Sequence, residues 1–271
     1  MRKFTGFSDY EETIENAVEK GWTASNCFMM PSAAEMKIKS GKLYVKEITA
    51  GLLLLEDEGT FYRCCYYLRP DEEPELLELG KDAVIEFPYK GEFNVKQARQ
   101  EAQILAMGFA LGRRSGMMSL SSDEAAHAFH LGGIPVPEDA IPEDTDEILG
   151  LLNSVFNPLY SFIPSADELR YKLSRKMLWV IRREGRIAAV LNSSTDTRSA
   201  SIDHVCAAPD FRGMGYGSIL IAHYHEIYRE NVKKFQHWVD LDNEPAIRMY
   251  QKFGYKFEAK KANEYILIKQ K

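Results

Sequence analysis

Nowhere in these 271 residues is there an apolar run of 18, which excludes a membrane-spanning helix of ordinary length. The start, "MRKFTGFSDYEETIENAVEKG", turns acidic and amphipathic where a secretory leader needs an apolar stretch. Cysteine is scarce: Cys27, Cys64, Cys65 and Cys206 have no C-x-x-C or metal-finger spacing. That usage suits a reducing cytoplasm, the expected location, and small buried thiols. Cys64 and Cys65 are adjacent, so in a strand they point to opposite faces. Positive charge is also lacking. The net charge of −6 argues against a nucleic-acid binder, which needs clustered Lys and Arg.

What is present is an ordinary globular composition, 45% apolar and 27% charged, enough for a packed core. The charge is uneven. Residues 1–142 hold 15 Lys and Arg against 23 Asp and Glu, whereas residues 143–271 hold 19 against 17. An acidic front half can attract a cationic substrate or partner, or serve only solubility.

The clearest break is "LGGIPVPEDAIPED", residues 131–144, whose glycines and prolines resist regular structure. It divides the chain into domains at 1–130 and 143–271 with a linker at 131–142. Before it, "KLYVKEI", "GLLLLED", "TFYRCCYYLRP" and "AVIEF" predict strands. "NVKQARQEAQILAMGF" predicts a helix stopped by Gly108, and "ALGRRSGMMSLS" a further strand. After it come a helix capped by Asp144 or Thr145 and a second capped by Ser165, with Glu168 three residues on. "MLWVIRR", "RIAAVLNSS" and "SASIDHVCAA" are strands. A helix from "SILIAHYHEIYREN", strand "FQHWVDL", helix "EPAIRMYQKF" and strand "YKFEAKKANEYILIKQ" complete the pattern.

The halves echo each other. "TFYRCCYYLRP" parallels "SASIDHVCAAP", and "ILAMGFAL" parallels "MYQKFGYKF". Between Pro70 and Gly108 lie 38 positions, against 45 between Pro209 and Gly254. The echo predicts a tandem repeat whose first copy has lost one piece, a glycine-rich loop.

That loop, "RGMGYG" at residues 212–217, sits between a strand and a helix. Unpaired backbone N–H groups at a helix start, with the helix dipole, favour an anion. Glycine lets backbone approach a phosphate without a Cβ in the way. A Walker loop would need a lysine that is absent. A dinucleotide fingerprint fails at its third glycine, where Ser218 stands, although Asp240 follows at a fitting distance.

Arg212-x-x-Gly215-x-Gly217 after "CAAP" resembles the coenzyme A motif of the GNAT superfamily of N-acetyltransferases. "NEPAIRMYQKFGY", from Asn243 to Tyr255, is similar to that family's N-x-x-A-x-x-x-Y-x-x-x-G-[FY] segment. The resemblance covers about residues 143–271. It implies an α+β class with a mixed sheet, the GNAT-like acyl-CoA N-acyltransferase fold in the C-terminal domain. The repeat implies a smaller, degenerate GNAT-like domain at the N-terminus.

The implied activity is transfer of acetyl from acetyl-CoA, the cosubstrate, to a primary amine by direct attack in a ternary complex, without metal. Arg212, Gly213, Met214, Gly215, Tyr216, Gly217 and Ser218 would hold the pyrophosphate. Backbone of Val205, Cys206 and Ala207 would pair with the pantetheine arm as an added strand does. Asn243 is expected to cap the last helix and to contact the coenzyme. Tyr250 falls where the family protonates the leaving thiolate, or else packs on its helix face with Ile247.

The base candidates are Asp203 and His204, which on a regular strand face opposite ways, with water or the first half as further sources. Phe156, Tyr160 and Phe162 either shape the amine pocket or pack in the core. His223 and His225, two apart on a helix, face different directions and do not make a metal site. The acceptor is expected to be a small-molecule amine or a peptide amine, with no nucleic acid or membrane as partner. The first half would close the acceptor cleft or mediate homodimerisation. The contrasting possibility is a module that senses acyl-CoA without turnover, because Ser201 stands where some relatives carry glutamate.

Overall fold

The computed structural model describes residues 1–88, 94–125, 135–258 and 263–270. The chain forms two compact units, residues 1–114 with 260–271, and residues 115–259. These bounds differ from the expected 1–130 and 143–271. The last strand belongs to the first unit, and residues 115–121, ahead of the break, belong to the second.

The first unit contains β1 (Arg2–Lys3), α1 (Phe7–Glu19), β2 (Ala24–Ser25), α2 (Pro31–Lys39), β3 (Leu43–Ile48), β4 (Gly51–Asp57), β5 (Phe61–Leu68), β6 (Asp82–Pro88) and α3 (Val95–Ala106). β7 (Ala110–Ser121) follows, its first five residues in this unit. The strand order is β1-β3-β4-β5-β6, then β14 (Asn263–Lys269), then β7, with β2 on β5. Among the described residues of this unit only β5 and β6 run parallel.

"GLLLLED" is apolar at every central position because both faces of β4 are covered. Leu53 and Leu55 join one core with Ile104 and Met107 from α3 and its end, and Leu52 and Leu54 join another with Tyr10, Ala17 and Ala34 from α1 and α2. Each such leucine contributes roughly 1.5–3 kcal/mol by leaving water.

The second unit adds β8 (Glu138–Asp139), α4 (Thr145–Val155), α5 (Ala166–Ser174), β9 (Leu178–Arg183), β10 (Arg186–Thr195), β11 (Ser199–Ala207), α6 (Tyr216–Tyr228), β12 (Lys234–Asp240), α7 (Glu244–Lys252) and β13 (Lys256–Phe257). Its order is β8-β9-β10-β11-β12, then residues 115–121 of β7, with β13 on β7. Again one pair is parallel, β11 with β12. Leu191, Leu220, Tyr224 and Tyr250 pack on the side of α6 and α7, while Ile148, Leu152, Leu169 and Val190 pack on the side of α4 and α5.

The echo in the sequence is an echo in the fold. β5 and β11 occupy equivalent places, and Gly108 and Gly254, at φ 91° and 94°, end the turns after α3 and α7. Ser165 caps α5 as expected: its Oγ accepts from Glu168 N at 3.3 Å and its own N–H donates to Glu168 Oε2 at 2.8 Å. Asn94 and Gln97 make the same reciprocal pair on α3.

Other expectations fail. Asp144 does not cap α4; it ends a short 3₁₀ turn, accepts from Ile141 N at 2.9 Å and pairs with Arg182 at 2.6 Å. Part of the expected linker is β8, which pairs with β9, while residues 131–134 lie outside the described residues. The final predicted strand is two, β13 and β14, in different units. Among the described residues no helix is long and apolar enough to cross a membrane.

Candidate active site

β11 has one edge paired to β10 from Ala200 to Ala207, with Asp203 left out of the register. Its other edge pairs with β12 only at Ser199, Ala200 and Ser201, while β12 continues to Asp240 held on its far side by β7. The two parallel strands therefore part after residue 201. The edge of residues 202–207 is left without a strand partner, its N–H and C=O groups free to pair with an extended ligand. Val205 and Ala207 are half-buried on the α6 and α7 side, and Cys206 is buried on the α4 and α5 side, where burial pushes its thiol up to about 12.

The pairing of β10 with β11 slips between Asn192 and Ser193, so that Asp203 is an extra residue in β11. Such a bulge breaks the alternation of faces. The expectation that Asp203 and His204 face opposite ways is therefore overturned: both join one network. Lys172 of α5 binds the Asp203 carboxylate, Asn192 Oδ1 at 3.0 Å and Ser193 O at 3.0 Å. Ser194 Oγ donates to the other Asp203 oxygen at 2.8 Å. Asn192 Nδ2 lies 3.2 Å from His204 Nδ1.

This network determines a proton position. An ammonium has donors only, so the Asn192 atom facing Lys172 is its oxygen and the atom facing His204 is its NH₂. The NH₂ donates, which makes His204 Nδ1 the acceptor and puts the ring proton on Nε2. Burial lowers the His204 pKa to about 4, with Asp203 opposing and Lys172 reinforcing. His204, 6% exposed, is thus a neutral ring offering an N–H, with the Phe156 ring edge-on at 4.9 Å. It does not present a free basic nitrogen through Nε2.

The loop "RGMGYG" runs between β11 and α6. Gly213 and Gly215 are left-handed, at φ 76° and 78°, and nothing lies within 4 Å of where a Cβ would stand on either. Glycine is needed there for conformation rather than for space within the protein. Gly217 has ordinary helical backbone, and a Cβ on it would meet Met249 Sδ at 3.4 Å. No side chain caps α6, so the first-turn N–H groups of Tyr216, Gly217 and Ser218 have none to satisfy them. Arg212 and Met214 are exposed, and the Arg212 guanidinium has no hydrogen bond or ion pair among the described residues. The Tyr216 side chain turns inward, its hydroxyl accepting from Arg183 Nε at 3.1 Å. Only its backbone is left for the loop.

Asn243 caps α7, its Oδ1 accepting from Ala246 N at 3.2 Å. Tyr250, 5% exposed, stacks on His237 at 3.6 Å between ring centres and meets Tyr255 at 5.6 Å. Burial holds its phenol well above the ordinary value, so it keeps its proton. Phe156 closes α4 and joins the core, Tyr160 is half-buried, and Phe162 is 54% exposed. His223 is half-buried on Trp179, and His225 is fully buried, its Nε2 2.8 Å from Tyr255 OH. Among the described residues no group of three His, Cys, Asp or Glu side chains could hold a metal ion.

Lys172, Asn192 and Ser194 escaped the sequence reading. One signal was available: Asn192 and Ser193 are buried polar residues ending the apolar run "RIAAVL". Lys172 gave none, since its meaning depends on a bulge in another element.

Two layered units, each with a mixed sheet that parts between its two parallel strands, define the fold of acyl-CoA N-acyltransferases, here in tandem. Residues 145–255, within the second unit, match the model of the acetyltransferase (GNAT) family. A search of the curated proteins gives no match. Among solved structures, a GCN5-related N-acetyltransferase from Sphaerobacter thermophilus superposes with a TM-score of 0.56 at 12% identity, over 99% of this chain and 95% of that one. A tandem GNAT protein from the clavulanic acid biosynthesis pathway gives 0.52 at 12% identity, over 97% and 94%. A GCN5-related N-acetyltransferase from Kribbella flavida gives 0.52 at 15%, over 94% of each. These identities speak for the fold alone.

Proposed function

We propose that the second unit transfers an acetyl group from acetyl-CoA to a primary amine, by direct attack of the amine while both are bound. The observation that carries this reading is the parting of β11 from β12 directly ahead of an uncapped helix with two left-handed glycines. The residues fit the cosubstrate. The amides of Gly213 to Ser218 and the unpaired Arg212 suit a diphosphate, and the open edge at Val205 to Ala207 suits an amide-bearing arm. Binding energy from those remote groups would position the thioester for reaction.

Asp203 is the better base of the two candidates. Its carboxylate oxygens, held by Lys172 and Ser194, keep further lone pairs, whereas the His204 ring offers a proton. Tyr250 keeps its proton and supplies it to the departing thiolate. The acidic excess of the first 142 residues supports a cationic acceptor, free or on a peptide.

Titration of the full chain with acetyl-CoA, followed by thiol release with a panel of amines, tests the reading. Saturable binding with turnover on at least one amine, lost in Asp203→Asn, is expected. Binding without thiol release on any amine would leave a sensor of acyl-CoA. No binding at all would overturn the placement of the coenzyme.

A further inference from the structure

In the first unit β2 runs antiparallel to β5, with Ala24 opposite Leu68 and Ser25 opposite Tyr67. Cys27 follows two residues after Ser25, just past the end of β2, and Cys65 lies two residues before Tyr67 on β5, so the alternation of a strand puts both on the side of Ser25 and Tyr67. The two thiols interact, and both are half-buried against the same core. Directly opposed residues of antiparallel strands hold their Cβ atoms about 4.5–5.5 Å apart, and a disulfide needs about 3.5–4.5 Å. Cys64, one residue away, points into the opposite core and is no competitor.

We propose that Cys27 and Cys65 are a redox-active thiol pair, oxidised by hydroperoxides to a disulfide that ties β2 to β5. The two sulfurs are unequal. The Cys27 thiolate accepts a hydrogen bond from the Cys65 thiol; burial opposes, and Met29 N–H, the Tyr67 hydroxyl and the Lys37 ammonium assist, so that its pKa falls to about 6. The same contact holds Cys65 well above the ordinary thiol value. Cys27 is therefore the nucleophile and Cys65 the resolving thiol.

The Cys27 thiolate attacks the nearer peroxide oxygen. The O–O bond breaks, alkoxide or hydroxide leaves and takes a proton, and Cys27 becomes a sulfenic acid. Cys65 sulfur then attacks Cys27 sulfur, the S–O bond breaks, and water leaves with the Cys65 proton. Two thiols and one hydrogen peroxide give one disulfide and two waters. An external dithiol reverses the change by exchange.

This inference concerns the first unit and does not depend on acetyl transfer, so its test omits coenzyme. The full chain is treated with one equivalent of hydrogen peroxide, denatured, and its thiols counted and mapped by mass spectrometry. Two of the four thiols should disappear into a Cys27–Cys65 peptide pair and return on adding dithiothreitol. In Cys65→Ser, Cys27 should be captured as a sulfenic acid by dimedone. Cys27→Ser should slow peroxide consumption by at least about tenfold, and Cys64→Ser should form the bridge as the parent does. The Cys64→Ser control keeps the test independent of any fold lost in the other variants. A bridge to Cys64 or Cys206, or loss of the Cys27 thiol alone with the other three retained, would overturn the proposal.

Discussion

The two units part their parallel strands in the same place and treat the gap in opposite ways. In the second, β11 leaves β12 after Ser201 and the gap stays open. In the first, β5 pairs with β6 only from Phe61 to Cys64, and its released edge is then taken by β2, since β4 occupies the other edge throughout. Asn26, 8% exposed, completes the filling: its Oδ1 accepts from Tyr66 N at 2.8 Å and its Nδ2 donates to Glu86 O at 2.7 Å. One side-chain amide thus bridges both diverging strands. In place of a glycine loop and helix, residues 69–81 form an irregular connection whose Arg69 and Glu72 carbonyls accept from Gln103 Nε2. A parted sheet costs backbone hydrogen bonds, and those bonds go either to the chain itself or to something bound. The same frame can be an open site or a closed structural element, depending on whether the chain fills the gap itself.

Acid should break this comparison most strongly. His204, His225 and His237 lie in the second unit, and burial lowers their pKa values to about 4, 4 and 3. Unfolded, they bind protons near 6.5. Their stabilising effect is therefore complete above about pH 6.5 and is lost as pH falls toward the folded values, by on the order of 3 kcal/mol for each group fully titrated. The described part of the first unit has no histidine. Thermal scans between pH 7.5 and 4.5 should show the second unit failing first; equal loss in both would contradict this.

Gly215→Glu comes next. The added side chain has room on the free protein but brings bulk and negative charge to the loop. Acetyl-CoA affinity by calorimetry should fall at least about a hundredfold, near 3 kcal/mol, with the melting profile shifted by only a few degrees. Undiminished affinity would remove the loop from the coenzyme site.

Asn26→Ala strips the filling from the first unit's gap and leaves Tyr66 N–H and Glu86 C=O unpaired. It should cost about 2–4 kcal/mol in denaturant unfolding, at roughly 1–3 kcal/mol per orphaned buried group, without weakening coenzyme binding. A neutral effect would mean water replaces the amide. Smallest is the pair Asn94→Ala and Ser165→Ala, one cap in each unit, each expected to lower stability by about 1 kcal/mol. Chemical denaturation of the two variants would show whether the units unfold together or singly.

Much of the second unit was legible because its signals are local. The left-handed glycines, the capping box at Ser165 and the Asn243 cap each depend on a few neighbouring residues. What was missed is tertiary. Nothing in "TASNC" marks Asn26, and only the released edge of β5, 40 residues away, makes it a bridge. The bulge at Asp203 has no signature in "SASIDHVCAA", yet it decides that Asp203 and His204 share a face. β14 was recognised as a strand but given to the wrong unit, since a strand pattern reports what faces a sheet and not which sheet it joins.

That strand has a consequence for how the protein comes to be made. β14 stands between β6 and β7, in the interior of the first unit's sheet, although the whole second unit is translated before it. During synthesis the earlier unit must wait with an unfilled slot until residue 269 clears the ribosome, so order of translation and order of completion are reversed. Cutting the gene at the proline-rich break would not yield two halves. It would remove an interior strand from one unit and residues 115–121 from the other.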